Sequence, residues 1–153
     1  MENIQVPAKM RAGRSRGDDG GPPTVLLADD DEDFRCALAE LLAAEGLRVI
    51  GVPSGEEALA VLDLATKARS RSPDLLVLDL MMPRLSGIEV LQRLRKSTRW
   101  AQLPVLVVTG ANDPMLRVRL DLPIAFKPDT DVVLESVRQL LSAQALVAGV
   151  DAS

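Results

Sequence analysis

Two kinds of hydrophobic spacing alternate along this chain from Thr24 onward. Val25 to Ala28, Leu75 to Leu78 and Val105 to Val108 are near-continuous apolar runs of strand length, the pattern of strands covered on both faces. Leu47 to Val52 and Ile124 to Phe126 are weaker candidates of the same kind. Between them the period changes to that of a helix. Phe34, Ala37, Leu38, Leu41 and Leu42 form one apolar stripe that Gly46 can end. Ser54 with Glu57 three residues later has capping-box spacing, ahead of a stripe of Ala58, Leu59, Val61 and Leu62. Residues Arg69 to Pro73 read as the exit loop. Ile88, Leu91 and Leu94 after Gly87 predict a third helix, and Val133, Val137, Leu140 and Leu141 after an Asp131 cap predict a last one. Asn112 to Pro123 is assigned a short or irregular helix that Pro114 can start.

Five strands alternating with helices predict an α/β fold with a right-handed, doubly wound, open parallel sheet. In such sheets ligands bind beyond the carboxyl ends of the strands. The polar residues at those ends are Asp29 and Asp30, Asp79, Thr109 and Lys127. Each has an ordinary explanation on its own: the acidic run from Asp29 to Asp33 as a helix start, Asp79 as a turn former, Thr109 as a satisfied hydroxyl, Lys127 as a solvated charge. What sets them apart is that one fold rule gathers all of them at one sheet edge.

Composition narrows the chemistry. With 153 residues, 47% hydrophobic, the chain fits one domain with a full apolar core. We divide it into an N-terminal arm at 1–23, a domain at 24–148 and a tail at 149–153, with no DNA-binding effector domain expected after Gly149. No segment has the length of a membrane span or a secretory signal, so the expected location is the cytoplasm, without membrane insertion. With no histidine and a single cysteine, Cys36, the chain cannot build a zinc site, a histidine triad or an internal disulfide by itself. A formal net charge of −4 and 2% aromatic residues argue against direct nucleic-acid binding. Lys9, Arg11, Arg14 and Arg16 lie among Gly, Ser, Pro and Asp, which reads as a solvated arm. Cys36 reads as a small packed or half-exposed side chain, Trp100 as cover for a hydrophobic edge, and Met81 and Met82 as pocket lining.

From Thr24 to about Ala145 the chain resembles the receiver domains of two-component response regulators. The likeness rests on VLLADDDEDF with Asp29 and Asp30, LLVLDLMMPRLSGIEVL with Asp79, VVTG with Thr109 and AFKP with Lys127 and Pro128, together with Pro83 and Gly87 at the family's spacing. The resemblance implies strand order 2-1-3-4-5 and a phosphoprotein whose phosphoacceptor is Asp79. It implies Mg2+ held by Asp30, Asp79 and the Met81 backbone carbonyl, with Asp29 acting through water. Three carboxylates at one pocket repel one another, which predicts a raised pKa for at least one of them without the ion. Lys127 and Thr109 would contact phosphoryl oxygens, and Lys127-Pro128 would be a cis peptide. The implied partners are a histidine kinase or histidine phosphotransfer protein and an unknown downstream protein target, with homodimerisation left open. Such a chain is a phosphoacceptor signalling domain and not an enzyme, apart from self-directed phosphotransfer and autodephosphorylation.

Two positions depart from the family pattern. Ile124, three residues before Lys127, replaces a common aromatic switch, and the Asn112 to Pro123 segment is too short for a conventional fourth-helix dimer surface. Two other functions remain as alternatives. One is a degenerate receiver that binds partners without phosphorylation. The other is a haloacid-dehalogenase-type phosphatase using the D-x-D spacing of Asp29 and Asp31, which would leave Asp79 without a role.

Overall fold

The computed structural model describes residues 21–68, 72–110, 113 and 115–151. Its elements are β1 Thr24–Ala28, α1 Glu32–Ala44, β2 Arg48–Val52, α2 Gly55–Lys67, β3 Leu75–Leu78, α3 Gly87–Lys96, β4 Val105–Thr109, α4 Leu116–Leu120, β5 Ile124–Phe126 and α5 Thr130–Asp151. The five strands pair in parallel in the order β2-β1-β3-β4-β5. The central strands β1, β3 and β4 are buried at every residue, which is why their sequences are continuous apolar runs.

Because side chains alternate across a strand, each run feeds two cores. Leu26, Ala28, Leu76, Leu78, Val105 and Val107 face one way and pack with Ala58 and Leu62 of α2 and Val90, Leu91 and Leu94 of α3. Val25, Leu27, Leu75, Val77, Leu106 and Val108 face the other way, toward Leu38 and Leu42 of α1 and Val133, Val137 and Leu140 of α5. At about 1.5–3 kcal/mol per fully buried aliphatic side chain, this two-sided burial is the main stabilising term of the fold.

The helix starts are capped by side chains. Asp31, Ser54 and Ser86 accept from the amides of Phe34, Glu57 and Glu89 at 3.2, 3.1 and 3.3 Å. In α5 the cap is Asp129, whose Oδ1 accepts from the Val132 amide at 3.2 Å, and not Asp131. The helix begins at Thr130, so Asp131 lies in its first turn, where it complements the dipole instead. Gly46 ends α1 with φ of 86°, as expected. The short fourth helix is also found: α4 has five residues, no side-chain cap and a left-handed exit at Asp121. The helix start assigned to Pro114 and much of the loop at 69–73 lie outside the described residues, as does the basic cluster from Lys9 to Arg16.

Two apolar stripes differ from expectation. Ala37 and Leu41 of α1 are exposed, while Leu38 and Leu42 are buried. This helix packs on β1, on β2 at the edge of the sheet and on α5, so the outer part of its stripe has no strand beneath it. In α3 the core positions are Gly87, Val90, Leu91 and Leu94, with Ile88 left at the flank. That spacing follows from Gly87 itself, which lies against the chain after β3 and sets the rotation of the helix. Trp100 is buried in the core on the α2 and α3 side, its indole N–H donating to Thr66 Oγ1 at 3.1 Å. Cys36 is exposed. Among the described residues no helix is long and apolar enough to cross a membrane.

Candidate functional site

The expected residues meet at the carboxyl edge of the sheet, and the sheet's own hydrogen bonding puts them there. The Asp29 amide donates to Val52 O at 3.1 Å, the Asp79 amide to Ala28 O at 3.0 Å and the Lys127 amide to Thr109 O at 3.0 Å. Each of these residues lies one position past its strand and is fixed by one further rung of the ladder. Thr109 is the buried last residue of β4.

Beyond the rungs, both buried carboxylates fold back on the chain. Asp29 Oδ1 accepts from the Asp31 amide at 2.9 Å, and Asp79 Oδ1 accepts from the Met81 amide at 3.1 Å. These side-chain turns aim the second oxygen of each carboxylate into the pocket. There Lys127 Nζ lies 2.8 Å from Asp29 Oδ2 and 3.2 Å from Asp79 Oδ2. Asp29 is 1% exposed and Asp79 3%, whereas Asp30 is open to solvent. Oxygen atoms of Asp29, Asp30 and Asp79 all fall within 4.8 Å of one another. The Lys127-Pro128 peptide is cis.

Gly87 makes this approach possible. A Cβ at that position would fall 2.4 Å from the Asp79 carbonyl oxygen and 2.7 Å from Leu80 Cα. Its amide also donates to Leu80 O at 3.1 Å. The N-terminus of α3 therefore rests directly on the peptide that carries Asp79.

Electrostatics follow from this geometry. Burial, reinforced by the neighbouring Asp29 charge, pushes the Asp79 carboxyl up from 3.8 to about 6, against the Met81 amide and Lys127, which favour the ionised form. The raised carboxyl is as expected, but its first cause is burial rather than mutual repulsion. Burial also works against the charge on Lys127, yet Asp29 and Asp79 outweigh it and raise that ammonium's pKa.

Three oxygen donors around one point, without sulfur or imidazole, suit a hard divalent cation better than a soft one. Met81 and Met82 do not share a role. Met82 is buried in the core, and Met81 is 67% exposed, so only its backbone belongs to the pocket wall. Asp31, the second acid of the D-x-D spacing, is used as the cap of α1.

Two neighbours of the site were not singled out in the sequence beyond helix packing. Arg35 Nη1 donates to the Asp29 carbonyl at 2.8 Å, with its stem beside Gly51. The Phe34 ring centroid lies 4.8 Å from Lys127 Nζ. Their place in the first turn of the helix after the acidic pair was the available signal, because that turn lies at the same sheet edge.

Comparison with known proteins bears on the family and the fold. The family profile described as "Response regulator receiver domain" matches residues 25–121. Over 91 residues the chain is 41% identical to the transcriptional regulatory protein AfsQ1 of Streptomyces coelicolor, covering 60% of this chain and 36% of that protein. It is 42% identical over 94 residues to the transcriptional regulatory protein CpxR of Escherichia coli, covering 61% and 36% respectively. The chain thus spans about a third of the length of these curated relatives. Among solved structures, chemotaxis protein CheY4 of Vibrio cholerae superposes with a TM-score of 0.68 at 25% identity, over 78% of this chain and 99% of that one. With the family's profile covering most of the domain, and the sheet order and acidic pocket in place, the chain belongs to the response regulator receiver domain family.

Proposed function

We propose that this receiver takes a phosphoryl group onto Asp79 from a phosphohistidine of a sensor kinase or phosphotransfer protein, and signals by protein–protein contact or by passing the group onward. The supporting observation is the Asp79 carboxylate itself, buried, with one oxygen on the Met81 amide and the other 3.2 Å from the Lys127 ammonium. In the step, a carboxylate oxygen of Asp79 forms a bond to phosphorus as the bond from phosphorus to the imidazole nitrogen breaks. The electron pair leaves with the histidine.

The transition state of phosphoryl transfer is loose and charge-spread, so the residues contribute alignment and neutralisation. Lys127 supplies a compact positive charge beside the attacking oxygen, and Thr109 offers a hydroxyl at the end of the next strand. Asp30, Asp79 and the Met81 carbonyl would hold Mg2+, with Asp29 behind them. Bound there, the ion supplies neutralisation of the phosphoryl oxygens. Ile124 is buried in β5 and has no polar tip, so output rests on Thr109 and the neighbouring chain rather than on an aromatic toggle.

The test is intact mass after incubation with acetyl phosphate and MgCl2. Wild type is expected to gain one phosphoryl group of ~80 Da, dependent on magnesium, while Asp79→Asn gains none. A folded wild type that takes up no phosphate overturns the proposal and leaves a binding module that works without phosphorylation.

A further inference from the structure

We propose that Phe34 is a positioning residue for phosphoryl transfer, its ring face holding the Lys127 ammonium in the place where it bridges Asp29 and Asp79. The role rests on the phosphoacceptor reading of Asp79 given above. Among the described residues, Nζ of Lys127 lies near Asp29 Oδ2 at 2.8 Å, Asp79 Oδ2 at 3.2 Å and the Phe34 ring centroid at 4.8 Å. The chain has only two Phe, one Trp and no Tyr, and one of these rings lies beside the lysine of the site. Phe34 is itself well anchored. Its amide is bonded to the Asp31 cap at 3.2 Å, and its side chain packs against the core shared by α1 and α5.

The chemistry of a ring face suits this position better than a third carboxylate would. A lysine side chain is long and freely rotating, so an ammonium held from one side only would sample several rotamers. A carboxylate there would fix it, but would also repel an incoming phosphoryl group. The aromatic face attracts the cation through its quadrupole while carrying no net charge and making no strict directional demand. The ammonium can then turn from Asp79 Oδ2 toward a phosphoryl oxygen without leaving the ring.

The experiment uses the full chain with acetyl phosphate and MgCl2. An Asp79 oxygen forms its bond to phosphorus as the phosphorus–oxygen bond to acetate breaks, and acetate leaves with the electron pair. Phe34→Leu is expected to slow labelling about 3- to 10-fold, and Phe34→Tyr to restore it. Because leucine also changes packing, a second series places progressively fluorinated phenylalanines at position 34, which keep the shape while weakening the quadrupole. The rate should fall stepwise along that series. The Hε resonances of Lys127, shifted upfield by the ring in wild type, should return toward ordinary lysine values in Phe34→Leu. Labelling that ignores fluorination, or a Lys127 resonance unchanged in Phe34→Leu, overturns the role of the ring and leaves Asp79 as phosphoacceptor. A wild type that takes up no label overturns the phosphoacceptor reading and the positioning role with it, even if the ring shift on Lys127 is seen.

Discussion

Replacing Asp79 by asparagine should make the metal-free protein more stable, although it removes the group on which the proposed chemistry depends. The carboxyl is raised from 3.8 to about 6. At about 1.4 kcal/mol per pKa unit, holding it ionised above pH 6 costs the native state about 3 kcal/mol. Asparagine keeps an oxygen for the Met81 amide, so that bond survives. Its amide nitrogen, however, faces Lys127 Nζ and forfeits the 3.2 Å ion pair, while Asp29 still holds the ammonium at 2.8 Å. That lost pairing is already counted in the value of about 6, so we expect a net gain of about 2–3 kcal/mol at pH 7.5, or several degrees in Tm. The sign with pH follows from the native value lying above the unfolded one. The wild-type carboxyl contributes most favourably below pH 3.8 and loses that contribution as pH rises through about 6. The stability gap between Asp79→Asn and wild type should thus be near zero at pH 4 and widen up to pH 7. Urea denaturation in EDTA across that range measures it. An Asp79→Asn protein less stable than wild type at pH 7.5, or a gap that does not change with pH, would refute the argument.

The acidic cluster predicts the converse response to metal. MgCl2 at about 100 times its dissociation constant should stabilise wild type by about 2.7 kcal/mol, read as a thermal shift reversed by EDTA, with most of the shift lost in Asp30→Asn. An equal shift in that variant would mean that Asp30 is not a ligand. Gly87→Ala should destabilise the fold by about 2–3 kcal/mol, because a Cβ there meets the Asp79 carbonyl at 2.4 Å and must push α3 away. A loss under about 0.5 kcal/mol in urea unfolding would show that the helix can shift freely.

The parts of the fold legible in the sequence were those set by burial. Leu75 to Leu78 has the pattern of a strand covered on both faces, and it is one. The site was legible for a related reason, since strand ends fix which side chains meet, and Asp29, Asp79, Thr109 and Lys127 stand where the sheet rule puts them. Helix faces were read less well. Ala37 and Leu41 fit the period of α1 as well as Leu38 and Leu42 do, and only the position of β2 at the sheet edge decides which pair is covered. The cap of α5 was missed because Asp129 and Asp131 are equally good caps, and a shift of the helix start chooses between them. Phe34 and Arg35 were hidden for a different reason. Their contacts with Lys127 and the Asp29 carbonyl depend on the rotation of α1 over the sheet.

Asp29, Asp79 and Lys127 each hang from one backbone bond to the neighbouring strand, one residue beyond the regular pairing. The pocket therefore inherits its dimensions from strand register instead of setting them through its loops. Insertions or substitutions farther out in those loops can alter which partner docks or how long a modified state lasts while the spacing of the charged groups stays the same. A one-residue slip between β1 and β3, by contrast, would displace Asp79 from Asp29 by the rise of a whole residue and dismantle the site in one step. Amide exchange offers a direct view of this. The Asp29, Asp79 and Lys127 amides should exchange as slowly as the sheet interior, joining the reactive groups to the most protected part of the molecule.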